Sequence, residues 1–110
     1  MNLAALSKLT LEQRALIALI RAWPPCKVII TVRHGEPVQT NSLGVMLRMP
    51  LDLEFPEDLH ASELAVIAAC QELGYGTIEL DVANGVIQGW HIGGDLYGKG
   101  QIIVLSELGD

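Results

Sequence analysis

Residues 9–35, LTLEQRALIALIRAWPPCKVIITVRHG, align without a gap on residues 59–85, LHASELAVIAACQELGYGTIELDVANG, and this alignment decides the fold. Leu9 falls on Leu59, Ala15 on Ala65, Ile17 on Ile67, Ala18 on Ala68, Val32 on Val82 and Gly35 on Gly85. The pairs Leu16/Val66, Val28/Ile78 and Ile30/Leu80 keep their apolar character, whereas charges are not kept. Packing holds core positions and leaves surfaces free to diverge, so the pattern predicts two copies of one supersecondary unit. Repeat one is read as about residues 9–55 and repeat two as about 59–108, within a single domain over 1–110.

Each unit opens with a helix. Thr10 and Gln13 have capping-box spacing, and Ala15, Leu16, Leu19, Ile20 and Trp23 mark an apolar helical face. Pro24 and Pro25 stop that helix, because proline lacks the N–H of the next turn and disfavours helical geometry in its predecessor. The second helix carries Leu64, Ala65, Ile67, Ala68, Cys70 and Leu73, with Gly74 where a left-handed C-terminal residue is wanted. A strand of period two follows in each copy, with Val28, Ile30 and Val32 on one buried face and Ile78, Leu80 and Val82 on its counterpart. The turns His34-Gly35 and Asn84-Gly85 predict hairpins, since Asn-Gly suits a type I′ loop and His tolerates left-handed backbone.

Beyond the hairpins, Leu43, Val45, Leu47, Met49, Leu51, Leu53 and Phe55 alternate with other residues. This predicts a third strand over 43–55, at an edge or broken at Pro50. Gln101 to Leu105 is its shorter counterpart. The expected fold is α+β: two tandem α-β-β-β repeats, helices packed on an antiparallel sheet, related by a pseudo-two-fold axis. The long alternating edge at 43–55 further predicts self-association as a closed dimer.

Half of the 110 residues are apolar, 18% are charged and mean hydropathy is +0.36, which excludes a disordered or collagenous chain. Only 5% are aromatic, too few for stacking platforms on single-stranded nucleic acid. A net charge of −6 opposes attraction to phosphate backbones and anionic membranes, so neither nucleic acid nor membrane is an expected direct ligand. The charge is uneven: residues 1–50 hold six bases against two acids, and residues 51–110 hold Lys99 alone against eleven acids. The N-terminal apolar run lacks a basic n-region and no apolar stretch reaches about 20 residues, so a cytoplasmic bacterial or phage setting is expected.

Chemistry-bearing motifs are sparse. Gly93, Gly98 and Lys99 satisfy most of a phosphate-loop pattern, but Gly100 replaces the Ser or Thr that would hold a metal, and Ile102, Ile103 and Val104 favour a strand. His34, His60 and His91 have no metal-ligand spacing, and Cys26 and Cys70 match no zinc or redox pattern. No third group is identifiable to orient a Cys26–His34 pair. No metal, cofactor or catalytic residue is therefore assigned.

The stretch Tyr75-Gly76-Thr77-Ile78-Glu79-Leu80-Asp81-Val82-Ala83-Asn84-Gly85-Val86-Ile87-Gln88, with the helix before it, resembles the YezD-like small uncharacterised bacterial proteins. The likeness covers about residues 60–90, and Pro24-Pro25-Cys26 replaces Gly74-Tyr75-Gly76 in the first copy. The resemblance implies a helix–hairpin unit and no catalytic residue.

The functional expectation is a small acidic non-enzymatic protein-binding or regulatory module, such as an inhibitor or adaptor. Arg14, Arg21, Lys27 and Arg33 give one repeat a basic face, and Glu79 and Asp81, with Glu63 and Glu72, give the other an acidic one. If these faces meet solvent on opposite sides they suit a protein with complementary patches, for instance a nucleic-acid enzyme with a basic groove. If they meet each other, the charges are internal. The alternative is a small-ligand or phosphate site on the Gly-rich loop 93–100, built from His91, Gly94, Asp95, Tyr97 and Lys99.

Overall fold

The computed structural model describes residues 8–48, 53–94 and 100–108. Its elements are α1 (Leu11–Ala22), β1 (Cys26–Arg33), β2 (Glu36–Leu43), α2 (Ala61–Leu73), β3 (Gly76–Ala83), β4 (Val86–Ile92) and β5 (Gly100–Val104), followed by a 3-10 turn at Leu105–Glu107. The fold is α+β, with five antiparallel strands in the order β4-β3-β1-β2-β5.

Local chemistry sets these boundaries. The Thr10 hydroxyl accepts the Gln13 N–H at 3.2 Å and the Gln13 side chain accepts the Thr10 N–H at 2.9 Å, closing a capping box at the start of α1. Glu63 supplies one half of a similar box for α2, accepting the His60 N–H at 2.8 Å. Both hairpin turns are left-handed at two successive residues, His34 (φ 53°) with Gly35 (φ 74°), and Asn84 (φ 55°) with Gly85 (φ 75°). Each return strand carries one extra residue at a bulge, Val38 against Thr31/Val32 and Gln88 against Asp81/Val82. Pro37 is tolerated in β2 because it stands at the first of these bulges.

One apolar cluster joins α1, α2 and the sheet: Leu16, Leu19, Ile20 and Trp23 meet Val28, Ile30 and Val32, together with Val66, Ile78, Leu80 and Ile103. Strand alternation then puts Lys27, Ile29, Thr31 and Arg33 on the face opposite α1 and α2, which is helix-free among the described residues. In the β1–β3 ladder Ile29 lies opposite Glu79, with Val28 against Leu80 and Ile30 against Ile78 on either side. A Cβ on Gly35 would lie 3.3 Å from the Gln71 Cα, and one on Gly85 would lie 3.2 Å from the Arg21 carbonyl oxygen.

The third strand expected over 43–55 does not form in the described part of that segment. β2 ends at Leu43, Gly44 takes φ 77°, and residues 45–48 and 53–56 are irregular; residues 49–52 lie outside the described residues. The β2 edge that such a strand would occupy is taken by β5. Leu47 and Leu53 instead pack against the core, so the apolar alternation serves a chain that covers the core without a ladder. Leu47 finds its hydrogen bonds on one side chain: Gln101 accepts its N–H at 2.6 Å and donates to its carbonyl at 2.8 Å.

The helices also differ in depth. In α1 every residue from Ala15 to Ile20 is buried, because α1 lies between the sheet, Ile67 with Leu59, and residues 53–57. α2 is peripheral, and Ala65 and Ala68, the counterparts of buried Ala15 and Ala18, are exposed.

Candidate functional site

The helix-free face collects the charged strand residues. Across it run His91, Glu79, Ile29, Asn41 and Ile102 in one row, and Gly89, Asp81, Lys27, Leu43 and Gly100 in the next. Glu79 is the hub of the first row, with the Lys27 ammonium at 4.0 Å and the His91 ring at 3.6 Å from its carboxylate. Lys27 of the basic set and Glu79 of the acidic set thus meet each other, as the second of the two expected arrangements has it. Asp81 is exposed and makes no ion pair among the described residues.

The remaining expected contacts are spread around the molecule. Arg33 is exposed at the far end of β1, and Arg14 is half-buried on α1. Arg21 is held by two carboxylates: its Nε and one terminal nitrogen donate to Glu63 at 2.9 and 2.7 Å, and the other terminal nitrogen donates to Asp58 at 3.2 Å. Those hydrogen bonds, led by Glu63, hold the guanidinium more firmly protonated against its partial burial. Arg21 ties α1 to the start of α2 and is a structural residue. A cleft of about 410 Å³ beside it, bounded by Ala18, Phe55, Pro56 and Glu57, brings no second polar group toward a common point other than carboxylates.

Of the ligand set expected on the Gly-rich loop, His91 and Gly94 are brought together beside Glu79; Asp95, Tyr97 and Lys99 lie outside the described residues. Gly94 sits on the helix-free face, where a Cβ would lie 3.0 Å from Ile29 and 3.1 Å from Glu79. Thr77 fixes that approach, donating its hydroxyl to the Gly94 carbonyl at 3.1 Å and accepting the Gly93 N–H at 2.7 Å. Ile29, fully buried on this face, has Gly94 packed against it.

Cys26 and Cys70 are free thiols, and burial raises the pKa of both, that of Cys70 to about 11. His34 and Tyr75 form an exposed pair, the phenol hydrogen-bonded to the imidazole Nδ1 at 2.5 Å. Among the described residues no group of three His, Cys, Asp or Glu side chains is arranged to hold a metal, and no helix is long and apolar enough to cross a membrane.

The feature that motif reading passed over is the outer edge of β4. β4 pairs only with β3, and among the described residues nothing covers its other side. Trp90 and Ile92, 37% and 56% exposed, stand there with exposed Val86, and the strand has no Lys, Arg, Asp, Glu or Pro. Edge strands are ordinarily blunted by such residues. The visible signal was their absence from VIQGWHI. No protein-family model, curated protein or solved structure matches this chain.

Proposed function

We propose that the chain is a non-enzymatic protein-binding module that receives an extended segment of its partner along the outer edge of β4. In this reading the two helix–hairpin units are related by an approximate two-fold. β5 fills the edge of β2, and the partner's segment fills the corresponding edge of β4. The observation that carries it is that β4 combines a ladder left open among the described residues, exposed Trp90 and Ile92, and no edge-protecting charge or proline. Unpaired backbone groups give such a contact its affinity, and flanking side chains give it selectivity. The acidic Glu79 and Asp81 lie on β3, one strand inward, on the sheet face opposite the Trp90 and Ile92 side chains.

The test is site-specific crosslinking in extract of the source cells. A photoreactive amino acid at position 92 is expected to give a discrete heavier adduct, and the same group at exposed Ala65 on α2 is expected to give none. Adducts from position 65 alone, or only adducts of twice the chain's own mass, reject the reading.

A further inference from the structure

Gly89 stands beside the β4 bulge at Gln88, but neither its backbone conformation nor its surroundings require a glycine. It lies inside β4, its φ is not positive, and a Cβ placed on it meets nothing within 4 Å. Glycine in a strand interior weakens the strand, so at this position it carries a cost without a local structural return. What it does is leave a gap. Gly89 is directly opposite Asp81, so the missing side chain opens a notch from the β4 edge to an exposed carboxylate one strand inward.

The hydrogen-bond phase of β4 fixes how a segment would sit over this notch. Gly93 donates its N–H to the Thr77 carbonyl, so His91 and Gly89, two and four residues earlier, also direct their peptide groups toward β3. Trp90 and Ile92 therefore direct theirs outward. An antiparallel newcomer bonds to Trp90 and Ile92, and its residue facing Gly89 belongs to a non-hydrogen-bonded pair, where strands bring Cα atoms to about 4.5 Å. That residue's side chain falls on the helix-free face, beside His91 and above the notch. Its neighbours facing Trp90 and Ile92 fall on the helix side, against exposed apolar surface.

We infer that the β4 edge selects a segment with a Lys or Arg facing Gly89, reaching through the notch to Asp81, and with apolar residues facing Trp90 and Ile92. This rests on the strand-addition reading and adds its specificity. Glu79, already near Lys27 and His91, contributes the same sign of charge, and Lys27 lies on the far side of Asp81 and points toward Glu79. The sequence rule for the partner, read toward its C-terminus, is apolar, any residue, apolar, basic.

The experiment titrates the isotope-labelled protein with two acetylated, amidated peptides, Thr-Ile-Thr-Val-Lys-Thr and the same peptide with Gln for Lys, followed by amide resonances. Both peptides are expected to shift the Trp90 and Ile92 amides, and the Lys peptide is expected to bind about threefold to fivefold more tightly, as one exposed charge pair allows. Asp81→Asn and Gly89→Val are each expected to erase that preference, while Gly89→Val melts no lower than the parent. Equal affinities for the parent protein overturn the notch inference and leave strand addition standing. If neither peptide moves Trp90 or Ile92, strand addition itself is rejected. Protection of both amides without peptide, with a dimer by sedimentation, assigns the edge to a second copy and overturns the inference.

Discussion

Arg21 on α1 grips Glu63 on α2 with two hydrogen bonds, at 2.9 and 2.7 Å, and the carboxylate it grips is 1% exposed. A buried carboxylate without its cation is expensive, so Arg21→Ala is expected to cost about 3 kcal/mol in urea unfolding. The double change to Arg21→Met with Glu63→Met should recover part of that loss, because no buried charge then remains. A single-variant loss below about 0.5 kcal/mol would show that water or another residue replaces the arginine.

Thr40 gives a change of opposite sign. It is fully buried on the helix side of β2, between Ile30 and Ile103, and its hydroxyl has no hydrogen-bond partner among the described residues. Thr40→Val keeps the shape and removes a desolvated polar atom, so a stabilisation of about 1 kcal/mol is expected in thermal or urea melts. A destabilised variant would mean that the hydroxyl has a partner in solution.

These two residues also mark what a one-dimensional reading reaches. The helices and hairpins were legible because periodicity, Thr10 with Gln13, and Asn84-Gly85 are local signals that the structure uses as expected, while Gly74 ends α2 at positive φ but in a tight turn in which the Tyr75 N–H bonds to the Leu73 carbonyl, not in the left-handed helical conformation. The role of Arg21 was not, because its carboxylate partner is 42 residues away. β2 reads as a polar strand, with Gln39, Thr40, Asn41 and Ser42 in sequence, yet the last three are buried because β5 arrives from the far end of the chain. The alternation over 43–55 misled for the same reason: it records which side chains face apolar surface, and an irregular extended chain satisfies it as well as a ladder. The β4 edge became apparent only when the strand order left it without a neighbour among the described residues.

Cys70 predicts the alkaline limit of stability. Its thiol is buried in α2 and ionises at about 11 in the folded protein, against an ordinary value of 9.0. As pH rises from about 9 to about 11 the unfolded chain loses the proton first, so stability falls across that window. Cys70→Ala should flatten that fall, at the cost of a lower but less pH-sensitive plateau. An unchanged alkaline slope would assign the loss to other groups. At neutral pH the same burial should make Cys70 react with thiol reagents more slowly than half-buried Cys26.

Gly100 decides whether β5 can dock. A Cβ there would lie 2.0 Å from the Asn41 Oδ1 and 2.5 Å from the Ser42 carbonyl oxygen, both well inside contact distance. The Asn41 amide can turn aside, but the Ser42 carbonyl belongs to β2 and cannot move without disturbing the sheet. Gly100→Ala should therefore loosen β5 from β2, withdrawing Ile103 and Leu105 from the core, where they are 4% and 0% exposed. Burial of each side chain is worth about 1.5–3 kcal/mol, so partial undocking should destabilise the protein by about 2–4 kcal/mol. Amide exchange should rise in β2 and β5 while the β1–β3 pair stays protected. The uncovered β2 edge would then offer a second unpaired ladder, and self-association rising with concentration in sedimentation is the expected consequence. Parent-like exchange in β5, with an unchanged melt, would show that the strand accommodates the methyl group and that its docking does not depend on this glycine.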